Sequence, residues 1–361
     1  MPRRTCCRCS HPTGRFSCGR RGAVRTAAGA EERASCGRAA STSTVSRHRS
    51  TPCRWARDPW ARPPMGPDAP AVGSGPGNAP PPEPRDSCGP IAMIGGGRMA
   101  LALAEGFCRT GRTTGDRVTV CDPDSVARER LVTAVPGVRF VPTPAAAAAA
   151  ARIVFLVVKP QQAAEACREA RPGLRADATI VSIVAGLTTD SLGALLGSRR
   201  IIRVMPNTPC LVGQGVSAWC ATPEVPAADR HEIVRLLASV GHVHEVDESL
   251  MDAVTGLSGS GPGFVARFVE ALTAGGVAAG LPPPLALSLA VQTVAGTGAL
   301  LERTGEDPAV VRARVTSPGG TTLAGLALMD ARGVPEAITA AVVAAAARAH
   351  ELGAAPRHAT A

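Results

Sequence analysis

A doubly wound α/β domain followed by an all-helical one is the fold class this sequence predicts, and three observations predict it. From Ile91 onward, short apolar runs alternate with helical patterns, as in a mainly parallel sheet covered on both faces. Near residue 248 the strand signal stops and only helical patterns continue. Ahead of both lies a stretch rich in Arg, Pro, Ser, Gly and Cys without apolar periodicity, the composition of a disordered extension. The expected organisation is an extension over 1–88, a sheet domain over 89–247, a helical domain over 248–354 and a tail over 355–361.

Strands are expected at Ile91–Ile94, Arg117–Cys121, Val138–Val141, Ile153–Val158, Thr179–Ile183, Ile201–Met205, Val216–Trp219 and His242–Val246, with helices in the gaps. Beyond 248, breaks at Pro282-Pro283-Pro284, Gly305, Ser317-Pro318 and Gly333 divide the chain into about four or five helices. In the first, Phe264, Val265, Phe268, Val269 and Leu272 repeat at helical spacing. Ala, Gly and Val dominate many of these helices, and so much apolar surface on a short appendage predicts burial against a second subunit.

Charge is divided as unevenly as pattern. Of the net +10, nearly all sits in residues 1–90, where 15 Arg face 6 acidic residues; in 91–361, 24 Lys and Arg face 23 acids. The folded part is therefore almost neutral and carries no basic stripe, which argues against nucleic acid as a partner. Seven of the 12 cysteines lie in the extension, and Cys6, Cys7, Cys9 and Cys18 lack a matching second pair of zinc ligands. After residue 90 no zinc-ligand spacing appears, so no metal is expected, and Cys108, Cys121, Cys167, Cys210 and Cys220 read as small core residues. No signal-peptide core follows Met1; the extension reads as a misplaced start, with Met65 the alternative, in preference to a transit peptide. No run approaches a membrane span, and a soluble, cytoplasmic protein is expected.

Chemistry enters at the first strand. Ile91–Ile94 runs into Gly95-Gly96-Gly97-Arg98-Met99-Ala100 and then an apolar helix pattern, the strand, glycine turn and helix of a dinucleotide site. Gly95 serves the tight turn, Gly97 the approach of a pyrophosphate, and Ala100 the packing of the helix. Asp122 follows the second strand, where an acidic residue binds the adenosine ribose; it could equally begin the Asp122-Pro123-Asp124 turn and cap the next helix. Arg98 and Arg128 are near enough in sequence to serve a 2′-phosphate instead, so NADPH and NADH both remain open as cofactor.

Absent residues narrow the reaction. The chain has no Tyr and a single Lys, Lys159, just past a buried strand in Val157-Val158-Lys159-Pro160-Gln161. Alcohol oxidation by a Tyr/Lys pair cannot operate, and the lack of a helical Lys argues against the other usual route; His231 and His350 lie on helix patterns without an obvious carboxylate partner, and His242 and His244 read as exposed strand positions. Reduction of a C=N bond, whose protonated form is already electrophilic, needs little from a titrating side chain. The socket for such a substrate is Ser317-Pro318-Gly319-Gly320-Thr321-Thr322. There Ser317 can cap a helix, Pro318 take its first position, and residues 319–322 offer free backbone N–H groups to a small anion. An ordinary capped turn is the competing reading.

Several segments together resemble the pyrroline-5-carboxylate reductase family: Ile94 to Ala100, Val158 to Gln161, Ala185-Gly186-Leu187, Arg203 to Pro209, Asp252 to Phe264, and the 317–322 loop. The resemblance covers about residues 89–354. It implies a Rossmann domain followed by a helical dimerisation domain intertwined between subunits, with dimers assembling into a decamer in many members. It implies NAD(P)H-dependent reduction of (S)-1-pyrroline-5-carboxylate to L-proline, the last step of proline biosynthesis. Carried over, Ser317, Gly319, Gly320, Thr321 and Thr322 hold the substrate carboxylate, and the Thr322 hydroxyl serves the imine nitrogen as the catalytic group. Gly95, Gly96, Gly97, Arg98, Met99, Ala100 and Asp122 bind the cofactor's adenosine and pyrophosphate. Val158, Lys159, Pro160, Ala185 and Gly186 line the nicotinamide pocket, and Met205, Asn207 and Thr208 lie between the two ligands. The chain departs from the family at Gly261-Pro262-Gly263-Phe264, where Gly-Pro-Ala-Tyr is usual, at Arg98 and at Asp307. Two other readings stand beside this one: a reductase of another cyclic imino acid, such as piperideine-2-carboxylate, and a non-catalytic dinucleotide-binding regulator.

Overall fold

The computed structural model describes residues 88–354, all within one compact unit, Asn78–Ala361. The expected extension, with Met65 and Cys6, Cys7, Cys9 and Cys18, and the expected tail lie outside the described residues. Eight strands form one sheet: β1 Ile91–Ile94, β2 Val118–Cys121, β3 Arg139–Phe140, β4 Ile153–Leu156, β5 Thr179–Ser182, β6 Ile201–Met205, β7 Gly215–Ala221 and β8 Gly241–Glu245. Their order is β3-β2-β1-β4-β5-β6-β7-β8. Pairings from β3 through β6 are parallel, β7 runs antiparallel to β6, and β8 is parallel to β7.

The central strands read as continuous apolar runs because both their faces are covered. Along β1, Ile91 and Met93 point into one core and Ala92 and Ile94 into the other; along β4, Ile153 and Phe155 oppose Val154 and Leu156 in the same way. The first core is closed by α1 Arg98–Arg109, α2 Ser125–Ala134 and, across the sheet, α6 Ala227–Leu237. The second is closed by α3 Pro144–Ala149, α4 Ala163–Ala170 and α5 Thr189–Leu196. Asp229 of α6 is fully buried and is paired with Arg152 and hydrogen-bonded by the Thr179 hydroxyl, so its charge is compensated.

The helical half begins with α7 Met251–Val254 and a single π turn, Thr255–Gly259, closed by Ser260 N–H to Thr255 O at 2.9 Å. There follow α8 Gly261–Ala278, α9 Pro283–Thr304, α10 Pro308–Arg314, α11 Thr321–Ala331 and α12 Val334–Ala354. Neither α8 nor α11 has a buried residue. One expectation is corrected here: α9, with 22 residues, is long and apolar enough to cross a membrane. Its Leu, Ala and Val content meets that test without Asp or Glu in the first five turns, and only Ala286 and Ala290 are buried along it.

Candidate active site

The site is built at the carboxyl ends of the neighbouring strands β1 and β4, where the strand order reverses direction and where ligands enter in such sheets. Gly95 has φ +102°, and a Cβ there would stand 2.7 Å from the Val157 carbonyl oxygen, so the turn tolerates no side chain. Gly97 faces open space. It is the N-cap of α1 without any side-chain cap, leaving the first-turn N–H groups of Arg98, Met99 and Ala100 with no carbonyl behind them. Ala100 is fully buried against the sheet, while Arg98 is exposed and Met99 half-buried. An open, glycine-lined helix N-terminus of this kind fits a pyrophosphate.

Asp122 begins the turn that the sequence allowed, but the helix cap is not its own. One carboxylate oxygen accepts from Gly96 N–H at 2.5 Å and the other from Asp124 N–H at 2.8 Å. The cap of α2 is Asp124, which accepts from Val126 N–H at 2.9 Å. A cleft of about 470 Å³ opens beside these groups and is lined by Gly95, Gly97, Asp122, Val158 and Lys159 among others. Lys159 is exposed; Pro160 begins the short 3-10 turn that leads into α4.

Beyond β5 lies a polar network that sequence reasoning missed. Arg203, buried on β6, reaches Glu248 at 3.2 Å and Asp252 at 3.6 Å. Glu248 also accepts from Thr189, from its N–H at 2.7 Å and its hydroxyl at 2.6 Å. Asp252 continues to His350 of α12 at 3.2 Å, so the expectation that His350 lacks a carboxylate partner is corrected. His242 likewise pairs with Glu302 at 2.8 Å. The network joins Thr189, at the start of α5, to the strand that ends at Met205. Gly186 (φ +75°) also packs closely against Leu352 and Gly353 at the end of α12.

Past β6, Asn207 accepts from Val216 N–H at 2.9 Å and donates to the Ser258 hydroxyl at 3.3 Å, while the Met205 methyl lies against Gly259 of the π turn. The 205–209 loop and the 255–259 turn are thus brought together. Burial pushes the thiol of Cys210 up, and that of Cys220 is raised to about 11 by burial and then by the Glu248 charge. Both behave as core groups.

The 317–322 loop is not arranged as expected. Gly320 N–H bonds to Ser317 O at 3.0 Å with Gly319 at φ +69°, a turn in which Pro318 and Gly319 are the corners. Helix α11 starts only at Thr321, with Gly320 as an N-cap that has no side-chain cap. Ser317 is therefore not the cap, Pro318 is not its first residue, and the Gly320 N–H is spent within the turn. Left-handed backbone at Gly319 explains the change, since a turn uses the first glycine's freedom better than a helix does. The N–H groups of Thr321, Thr322 and Leu323 remain without a carbonyl behind them. Ser317 Oγ crowds the place a Gly320 side chain would occupy. Ser317, Gly319 and Thr321 are exposed and Gly320 and Thr322 half-buried. Among the described residues, this loop makes no hydrogen bond to the glycine turn, Asp122, Lys159, Gly186 or Asn207.

Residues 248–352 match the family model described as pyrroline-5-carboxylate reductase dimerisation. The pyrroline-5-carboxylate reductase of Synechocystis sp. is 40% identical over 263 residues, 73% of this chain and 98% of the relative. The chain belongs to the pyrroline-5-carboxylate reductase family. The Pisum sativum member is 38% identical over 262 residues, 73% of this chain and 95% of its own. Residues 90–186 match a second model, described as NADP oxidoreductase, coenzyme F420-dependent. Among solved family structures, that of Plasmodium falciparum pyrroline carboxylate reductase with NADP bound superposes with TM-score 0.69 at 28% identity, covering 75% of this chain and 100% of the other. The Coxiella burnetii pyrroline-5-carboxylate reductase gives 0.67 at 29% identity, covering 74% and 99%. The family match thus spans both the sheet and the helices.

Proposed function

We propose that this chain reduces (S)-1-pyrroline-5-carboxylate to L-proline with a reduced nicotinamide dinucleotide, the final step of proline biosynthesis, in the cytoplasm. The observation that carries the reading is the presence, in one chain of this family, of an uncapped glycine turn at Gly95–Ala100 and a second uncapped helix start at Gly320–Leu323. The first suits a pyrophosphate and the second a small carboxylate. When bound, the dinucleotide supplies the hydride to C5 of the ring. Gly95, Gly96, Gly97, Arg98, Met99, Ala100 and Asp122 hold its adenosine half, and Val158, Lys159, Pro160, Ala185, Gly186, Met205 and Asn207 border its nicotinamide. Thr321 and Thr322 N–H groups, with the bare backbone of Gly319 and Gly320, hold the carboxylate. Ser317 and Asn207 flank the ring. The Thr322 hydroxyl orients the imine nitrogen, which takes its proton from solvent.

The domains proposed are 89–247 for the cofactor and 248–354 for self-association and substrate. Exposed apolar residues on α8, α9 and α11, among them Phe268, Leu272, Leu289 and Leu328, favour a second copy as their cover. The carboxylate socket lies on this half, so the dimer is the unit that closes the site; a decamer of such dimers is the assembly proposed. Oxidation of NADH and of NADPH, followed separately with racemic pyrroline-5-carboxylate and protein begun at Met65, tests the activity. Turnover yielding L-proline is expected with at least one of them, and none with either refutes the reading. Thr322→Val is expected to lower kcat about tenfold or more with dinucleotide affinity intact; unchanged kinetics would remove the hydroxyl from its role.

A further inference from the structure

We infer that the adenosine end of the cleft selects against a phosphate on the ribose, so that NADH is bound in preference to NADPH, with Asp122 the deciding residue. This rests on the dinucleotide reading above and deepens it. Asp122 stands at the carboxyl end of β2, beside the glycine turn, where the adenosine ribose of a bound dinucleotide lies. Its carboxylate is held at both oxygens, one by Gly96 N–H at 2.5 Å and the other by Asp124 N–H at 2.8 Å. A negative charge is therefore held in place at the position a 2′-phosphate would approach.

The rest of the lining adds to that charge. Asp124, Glu165 and Glu169 border the same cleft, against Lys159 as its one bordering cation among the described residues. Lys159 follows β4, on the far side of β1 from Asp122. The two arginines that could have answered a phosphate are placed elsewhere: Arg98 opens α1 at the pyrophosphate cradle, and Arg128 borders a separate depression with Glu129 and Phe140. A ribose diol can donate to a carboxylate, whereas a phosphate brings only negative charge and acceptor oxygens to it.

The full chain, titrated separately with NADH and NADPH while the fluorescence of the bound reduced nicotinamide is followed, gives both dissociation constants without turnover. NADH is expected to bind about tenfold or more tightly, the size of a like-charge penalty at a partly exposed site. The gap is expected to narrow as salt is added. Asp122→Asn is expected to bring the two constants together, mainly by tightening NADPH, and Glu169→Gln on the exposed face of α4 to move the ratio the same way by about twofold. The Gln variant and the salt series carry the test should the Asn variant disturb the turn. Equal or tighter binding of NADPH by the unaltered chain overturns the inference, and so does a ratio that none of these changes moves. Binding of neither dinucleotide overturns the dinucleotide reading itself.

Discussion

The sheet half and the helical half of this chain solve burial in opposite ways. Every strand from β1 to β6 except the short edge β3 is buried on both faces by helices of the same chain, with Phe107 and Phe155 at full burial and 5.6 Å between ring centroids. In the helical half α8 and α11 contain no fully buried residue, and Leu328 is 61% exposed in the single chain. The difference teaches where each function can reside. The proposed dinucleotide cleft can be complete in one chain, while the proposed socket on an uncovered helical face depends on what covers it.

Breaking each half separately sharpens the comparison. Phe155→Ala is expected to cost about 3–5 kcal/mol, read as a lowered urea midpoint that does not depend on protein concentration. Arg203→Met leaves Glu248 and Asp252, each about a third exposed, without their buried cation and is expected to cost about 1–2 kcal/mol. Arg203→Lys should recover part of that loss in the same titration, and equal midpoints for all three proteins would show that the network does not bind the halves. The smallest effect is alkaline. The Cys220 thiol has its folded pKa raised from 9.0 to about 11, so its contribution to stability is complete below pH 9.0 and is lost as pH rises toward about 11. Urea midpoints across that window are expected to fall less steeply in Cys220→Ala than in the unaltered chain.

Legibility follows the same division. Parallel strands covered on both faces appear in the sequence as unbroken apolar runs, and Ile91–Ile94 and Ile201–Met205 are located to the residue. The short edge β3, with only Arg139 and Phe140 in the ladder, is half the length its pattern implied, because an edge strand needs no continuous apolar run. Ser317 carried a true signal for a helix start but the wrong register and cap, since Gly319 at positive φ lets a turn use the Ser-Pro-Gly-Gly run before the helix begins. The Arg203 network could not be read at all: Asp252 and His350 are 98 positions apart, and no local pattern pairs them. Arg203 was visible as part of a motif, without a partner to give it a role.

Leu328→Glu, placed on the exposed face of α11, tests the division most directly when sedimentation, NADH or NADPH binding and turnover are measured on the same sample. A monomer that retains dinucleotide affinity within about twofold and loses pyrroline-5-carboxylate reduction is the predicted result. A monomer with full turnover would contradict it, because the proposed carboxylate socket would then need no second copy.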